Sequence, residues 1–404
     1  MRKRLFYKSI LYFFAFILMT NTSAQANDSS VGRSPEGIYP INDSDIIMLS
    51  EDIIIDIEKG LVSCDFVFKN TGGKKNVLMG FPARMQTYDE APDGDPEVHD
   101  FKCFINGKSV ATKLEKGVAP TKLPKEMTEN YTHWYTFSVP FERNATVQVK
   151  NTYRVTNTYY STGEILTSYI MKTGSVWKDN IGRAKITFLL GEIKPYELQM
   201  VFPSNMIFKG NTLVLERENI SPTFNPTVMY NKQIYTGDFL SHFPLDFQKT
   251  HLARKGYFLN KSAAAKDASL GKIQELYRQA LLDREYITAQ YLNSLLPLAL
   301  RHSNSKPEKP QISFDKTGGI TLNFVDKEGD LTNGNVAAYY FDKGTKVVAF
   351  EDTFDLMYFD ELTKRRFAFA IDLRPNTRYY VSTVVYDSYG NSANNSISYL
   401  SPYQ

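Results

Sequence analysis

The stretch Leu61-Val62-Ser63-Cys64-Asp65-Phe66-Val67-Phe68-Lys69 decides the fold. Val62, Cys64, Phe66 and Phe68 recur at every second position, so an extended chain places all four on one face. Working outward, Ser50 to Ile57 is a second strand rich in isoleucine. Asn70-Thr71-Gly72-Gly73-Lys74 reads as a turn, with Asn76 to Phe81 returning as a hairpin partner. Phe101 to Ile105 runs into Asn106-Gly107, a pair suited to a tight hairpin. Trp134–Val139, Ala145–Thr156, Ala184–Leu190, Glu197–Phe202 and Thr212–Glu216 continue the series, and Val147, Val149, Tyr153 and Val155 share a side. Short strands at this spacing, with no long helix expected before about residue 260, predict an antiparallel β-sandwich.

The period then changes. Ser262 to Leu282 carries Leu270, Ile273, Leu276, Tyr277, Ala280 and Leu281 at helical spacing, and Tyr286 to Leu300 resumes it after Asp283-Arg284-Glu285. The two segments predict an antiparallel helical hairpin, which must dock on a β-domain because one such unit cannot bury its apolar face alone. Ser303 to Pro310 is polar and Pro-containing, a linker by composition. Beyond it, Gln311–Phe314, Ile320–Phe324, Val336–Phe341, Thr345–Ala349, Arg366–Asp372, Tyr379–Tyr386 and Ser396–Leu400 predict a C-terminal immunoglobulin-like β-sandwich. The expected organisation is a signal segment over 1–26, a β-sandwich domain over 27–260, a helical hairpin and linker over 261–305 and the immunoglobulin-like domain over 306–404.

The N-terminus explains the charge. Arg2, Lys3, Arg4 and Lys8 precede an apolar run from Ser9 to Met19, followed by the small-x-small triplet Ala24-Gln25-Ala26. This order is that of a secretory signal peptide cut after Ala26, and the run is short for a membrane span. Residues 1–26 hold four basic and no acidic residues, so their removal takes the net charge from +3 to −1. The mature chain therefore gives no reason to expect nucleic acid or an anionic membrane as partner. No later segment reads as an integral span. Cys64 and Cys103 are the two cysteines. In an oxidising compartment a bridge between them would add about 3–4 kcal/mol, and two buried thiols are the alternative.

Two resemblances extend this reading. Asp372-Leu373-Arg374-Pro375-Asn376-Thr377-Arg378-Tyr379, followed by Tyr386-Asp387-Ser388-Tyr389-Gly390-Asn391-Ser392, resembles the late-strand signature of fibronectin type III and related bacterial sandwich modules over about 308–402. Phe66-x-Phe68-x-Asn70, Gly80-Phe81-Pro82 and the block from Tyr169 to Gly182 resemble an exported bacterial β-sandwich domain family of unknown function, over roughly 37–245. The aromatic-rich strand usual near the end of that domain is replaced here by Arg217-Glu218-Asn219-Ile220-Ser221-Pro222. The resemblance implies fold and export, and no activity.

Catalytic motifs are absent from the sequence. The five histidines (His99, His133, His242, His251 and His302) form no His-x-x-x-His pair, and no Gly-x-Ser-x-Gly elbow occurs. Asp93, Asp95 and Glu97, around Gly94, would supply hard oxygen ligands for calcium; a solvated acidic loop is the alternative. A second acidic turn, Asp326 to Asp330, offers the same choice. Tyr159, Tyr160 and Trp177 would stack on a glycan, or belong to core and rim. The sequence thus predicts a mainly β, non-catalytic extracytoplasmic binding or scaffold protein, in the periplasm, at the cell surface or secreted. Its expected partner is an envelope protein or cell-wall polymer, with no cofactor apart from calcium at the acidic loop. A calcium- or carbohydrate-dependent adhesin and an exported hydrolase are the rival expectations.

Overall fold

The structure is a computed structural model describing residues 39–40, 45–83, 98–116, 133–155, 157–160, 163–171, 179–220, 224–235, 239–283, 285–301, 306–314, 319–325, 331–355, 364–369, 374–387 and 391–401. It is mainly β. In chain order the first strands are β1 (Tyr39–Pro40), β2 (Ile46–Asp56), β3 (Leu61–Asn70), β4 (Lys75–Ala83), β5 (Val98–Ile105), β6 (Lys108–Val110), β7 (Lys113–Lys116) and β8 (His133–Phe141). Then come β9 (Thr146–Val155), β10 (Thr158–Tyr159), β11 (Ile165–Ser168), β12 (Ile181–Leu189), β13 (Leu198–Phe202), β14 (Ile207–Phe208), β15 (Thr212–Ile220) and β16 (Thr227–Tyr230). Eight of them form one sheet in the order β14-β15-β12-β2-β3-β9-β5-β6. Two four-stranded sheets, β1-β4-β8-β7 and β10-β11-β16-β13, contribute to the same continuous apolar core. Because β3 and β12 bury alternate residues, one face of the large sheet is covered, and both small sheets lie on that face.

The predicted alternation holds. Val62, Cys64, Phe66 and Phe68 are all buried, as are Val147, Val149, Tyr153 and Val155. The β2–β3 turn closes on Gly60, whose φ of +65° suits glycine; an added Cβ would lie 2.1 Å from the Val155 carbonyl oxygen. Asn106-Gly107 turns β5 into β6 as expected.

Two pairings differ from the sequence expectation. β3 and β4 are consecutive but not partners: β3 pairs with β2 and β9, whereas β4 pairs with β1 and β8. The Asn70–Lys74 turn is therefore a corner between sheets. Asn70 builds it, donating through Nδ2 to the carbonyls of Gly73 (2.6 Å) and Glu142 (3.1 Å) and accepting from the Gly72 amide. The large sheet is also not wholly antiparallel, since β2 and β12 run parallel. β15 continues to Ile220 through the segment that departs from the family pattern, and Arg217 is buried there, donating to Asn205 Oδ1 at 2.6 Å.

The helical region is larger than the expected hairpin. Three helices, α1 (Leu245–Ala265), α2 (Leu270–Leu282) and α3 (Tyr286–Ser294), replace the two predicted, and α1 begins well before residue 260. The proposed boundary at 260 cuts through α1. Ser269 ends the apparent continuity of 262–282: its side chain accepts from the Lys272 amide and caps α2. The unit docks as expected. Ile287 and Tyr291 of α3 pack on the sandwich core, Gln290 Nε2 donates to the Met206 carbonyl at 2.9 Å, and the Phe208 amide donates to Ser294 Oγ at 2.8 Å.

The C-terminal strands are β17 (Gln311–Phe314), β18 (Ile320–Val325), β19 (Leu331–Asp342), β20 (Thr345–Asp355), β21 (Lys364–Phe369), β22 (Arg378–Asp387) and β23 (Ser392–Leu400). They form sheets β17-β18-β21 and β20-β19-β22-β23 with a core of their own around Leu322, Val336, Val381 and Val385.

Cys64 and Cys103 are free and buried. Both sit opposite Asn151 of β9, on the strands either side of it. Two strand spacings, about 9.6 Å, exceed the Cα separation that a disulfide spans. Burial pushes the Cys64 thiol well up and the Cys103 thiol up to about 12. Native protein should leave both thiols unlabelled by an aromatic disulfide reagent, and denatured, unreduced protein should show two; fewer than two would establish a bridge.

Glu51 is buried in the same core, opposite Phe66 and Ala184. Tyr169 donates to its Oε2 at 3.3 Å, and Oε1 has no hydrogen-bond partner among the described residues. Burial pushes its pKa up to about 8. A carboxyl that is more basic folded than unfolded favours the fold below its unfolded value near 4.5 and loses that contribution as pH rises to about 8. Glu51→Gln should therefore raise unfolding stability by on the order of 3 kcal/mol at pH 8 and change it little at pH 5. Urea unfolding at both values checks this, and an equal effect at both would contradict it.

Candidate functional site

Where α1 meets the sandwich, aromatic rings follow one another at four-residue intervals. Phe239, Phe243, Phe247 and His251 have ring centroids 5.2, 4.6 and 4.3 Å apart in succession. The first two belong to the lead into the helix and the last two lie on α1, where a spacing of four keeps side chains on one side. The series turns inward through Tyr235 (6.3 Å from His251) and Tyr196 (5.5 Å from Tyr235) to Phe258 and Tyr291 in the docking contact. Phe239, Phe243, Phe247, Tyr235 and Tyr196 are half-buried, so each keeps part of its ring open to solvent.

Polar groups gather at the inner end. Lys255 Nζ stands 5.0 Å from the Tyr196 ring centre and 5.3 Å from that of Tyr235. Arg254 donates to Gln199 Oε1 at 3.3 Å and lies 3.7 Å from Glu285 Oε2. Two buried polar atoms beside it, His251 Nδ1 and Gln199 Nε2, have no hydrogen-bond partner among the described residues. Leaving such an atom unpaired costs about 1–3 kcal/mol. Burial, aided by the Arg254 charge, lowers the His251 pKa, while Glu164 opposes the shift. The imidazole is therefore neutral at pH 7, able to donate or accept one hydrogen bond.

The β10–β11 turn brings two sequence candidates to this place. Tyr159 is 56% exposed and Tyr160 half-buried, so the pair does present one open ring. The Gly163 amide donates to the Tyr160 carbonyl, and a Cβ at Gly163 would meet Phe239 Cζ at 3.0 Å. The turn that follows Tyr159 and Tyr160 thus abuts the outer end of the aromatic series at Phe239. Trp177, Asp93, Asp95 and Glu97 lie outside the described residues, as does the turn at 326–330. No cluster of three or more metal-ligating side chains occurs among the described residues. His251, Gln199 and Arg254 are the site residues that the sequence reading misses; the recurrence of Phe239, Phe243, Phe247 and His251 at intervals of four is the signal that points to them.

The remaining strongly shifted acids and thiols, Glu51, Cys64 and Cys103, are sealed in the sandwich core. The arrangement at the junction suits recognition of a ligand with flat apolar faces and hydrogen-bonding edges. No described helix is long and apolar enough to cross a membrane.

A family model described as a domain of unknown function (DUF4424) matches residues 26–152. The resemblance to a family of unknown function read over 37–245 is thus met over a shorter stretch, ending inside β9. Among solved structures, the chain is similar to a protein from Legionella pneumophila subsp. pneumophila str. Philadelphia 1 whose description reads "putative nutrient binding protein". Identity there is 21% and the TM-score 0.43, over 57% of this chain and 85% of that one. It is also similar to an M1 zinc metallopeptidase from Deinococcus radiodurans, at 8% identity and TM-score 0.21, over 46% of this chain and 42% of that one. At these scores neither similarity carries a functional argument. Curated proteins give no match.

Gly163→Ala should destabilise the protein by about 1–2 kcal/mol, because its φ of +87° is disfavoured for alanine and its methyl group presses on Phe239. Thermal unfolding measures this. A melting temperature equal to that of the parent would mean that the turn does not abut the aromatic series.

Proposed function

We propose that this is an exported, non-catalytic binding protein of the bacterial cell envelope, which holds an envelope polymer or protein in the aromatic cleft between α1 and the sandwich. One observation carries the reading: a run of half-buried rings leads to two buried polar atoms that have no partner among the described residues, His251 Nδ1 and Gln199 Nε2. Rings that pack without being sealed, next to unspent hydrogen-bonding capacity, suit a ligand better than they suit the monomer alone. Export rests on the basic, apolar and small-x-small order of residues 2–26. The non-catalytic character rests on the absence of a catalytic motif in the sequence and on the burial of the most perturbed acids and thiols, out of reach of any substrate. The C-terminal module, with seven strands in sheets of three and four, is taken as immunoglobulin-like and as a second surface for partners.

Residues 27–404 should co-sediment with isolated cell-wall material in calcium and in chelator alike. Phe247→Ala and His251→Ala should each weaken retention about tenfold, the scale of one lost hydrogen bond or ring contact. Retention that vanishes on chelation would favour the calcium-dependent alternative at Asp93, Asp95 and Glu97. No retention under either condition would leave a protein partner and remove the polymer.

A further inference from the structure

The sheet β20-β19-β22-β23 has one face on the C-terminal core and one face turned away from it. By strand alternation the outer face carries Tyr339 and Phe341 of β19, Tyr380 of β22 and Val348 of β20. Tyr339 lies between Val348 and Tyr380 in adjacent strands, and the two tyrosine rings stack with centroids 5.5 Å apart and planes 18° apart. Phe341 stands at right angles to both, 5.8 Å from Tyr339 and 5.7 Å from Tyr380. It remains 53% exposed, with Val348 and Leu400 at 52% each, so the cluster is an open apolar patch rather than scattered single residues. A register shift between Ala338 and Tyr339 sits at its edge, a device that re-aims side chains beside functional surfaces.

Two properties of the surrounding face narrow the occupant. Cations border the rings: Lys346, cross-strand from Phe341, places Nζ 4.2 Å from the Tyr339 ring centre, and Arg378 is exposed opposite Leu400. Asp342 points to the other face by alternation; Glu351, opposite Ala337, is exposed on the same face as the rings but lies beyond the register shift, on the side away from Lys346. Away from the rings the face carries short neutral hydrogen-bonding groups, with Ser382 on β22 and Asn394, Ser396 and Ser398 exposed on β23. Aromatic faces match the apolar faces of sugar rings, the hydroxyl and amide rows match their hydroxyl groups, and the bordering cations match carboxylates. A flat sheet face several strands wide accommodates an extended chain of such rings.

We propose that this outer face binds a linear polysaccharide bearing carboxylates, stacked on the Phe341, Tyr339 and Tyr380 cluster and paired with Lys346 and Arg378. The site lies on a different module from the α1 cleft and does not rest on the reading of that cleft.

The test is affinity electrophoresis of residues 27–404 in gels containing polygalacturonate, with hydroxyethylcellulose as the neutral comparison and polyglutamate as a soluble competitor. Polygalacturonate should retard the protein and hydroxyethylcellulose should not. Tyr339→Ala combined with Tyr380→Ala should weaken retardation about tenfold or more, and Lys346→Glu with Arg378→Glu, both at exposed positions that leave the fold intact, should do the same. Leu282→Ala, at an exposed position of α2, should leave retardation unchanged. The proposal is overturned by absence of retardation, by equal retardation in the neutral gel, or by retardation that survives the two charge reversals. Equal competition by polyglutamate would replace the glycan with an acidic peptide, and loss on Phe247→Ala alone would move binding to the cleft.

Discussion

Across the middle of the large sheet, Ile53, Cys64, Asn151 and Cys103 face one another on β2, β3, β9 and β5, and all four side chains are withdrawn from water. This rung fixes the register of the N-terminal domain. A slip of one residue would turn the whole row outward and expose the alternate, polar set to the core. With that face committed, the sheet needs a cover as broad as itself, and a single small sheet does not suffice. The two four-stranded sheets together supply it, which obliges the chain to leave the large sheet at Asn70 and re-enter it at β5.

The same geometry places the aromatic surfaces. The β10–β11 turn at the rim of one cover sheet meets the lead into α1, and the docking of α3 on Met206 and Phe208 holds the helical unit against that rim. The junction is thus a seam between two elements that each need the other for burial. The C-terminal sheet carries its aromatic cluster on a flat face supported from behind by its own core.

Period-two burial is a local property, so β3, β9, β19, β22 and β23 are legible in the sequence. Pairing is not local. The Asn70–Lys74 turn has the composition of a hairpin loop, and only the distant carbonyl of Glu142 makes it a corner. The parallel neighbour of β2 lies well over a hundred residues downstream and leaves no trace near it. α1 escapes because it is apolar on both sides: Phe258 and His251 face inward, while Leu245, Leu252 and Leu259 remain exposed. That mixture hides the helical period, and Pro244, which reads as a break, precedes the first turn. Tyr159 and Tyr160 are legible as candidates because adjacent residues of a strand face opposite ways. That His251 Nδ1 and Gln199 Nε2 have no partner among the described residues is a three-dimensional property that sequence alone does not express.

The two thiols, held on either side of Asn151, are too far apart to be joined without dismantling the sheet. The fold therefore has no oxidative step to complete and gives up nothing when an oxidant is missing. A chain built in this way folds by strand pairing and helix docking without a thiol oxidase. Its architecture is portable between reducing and oxidising surroundings, and expression in either should give the same molecule.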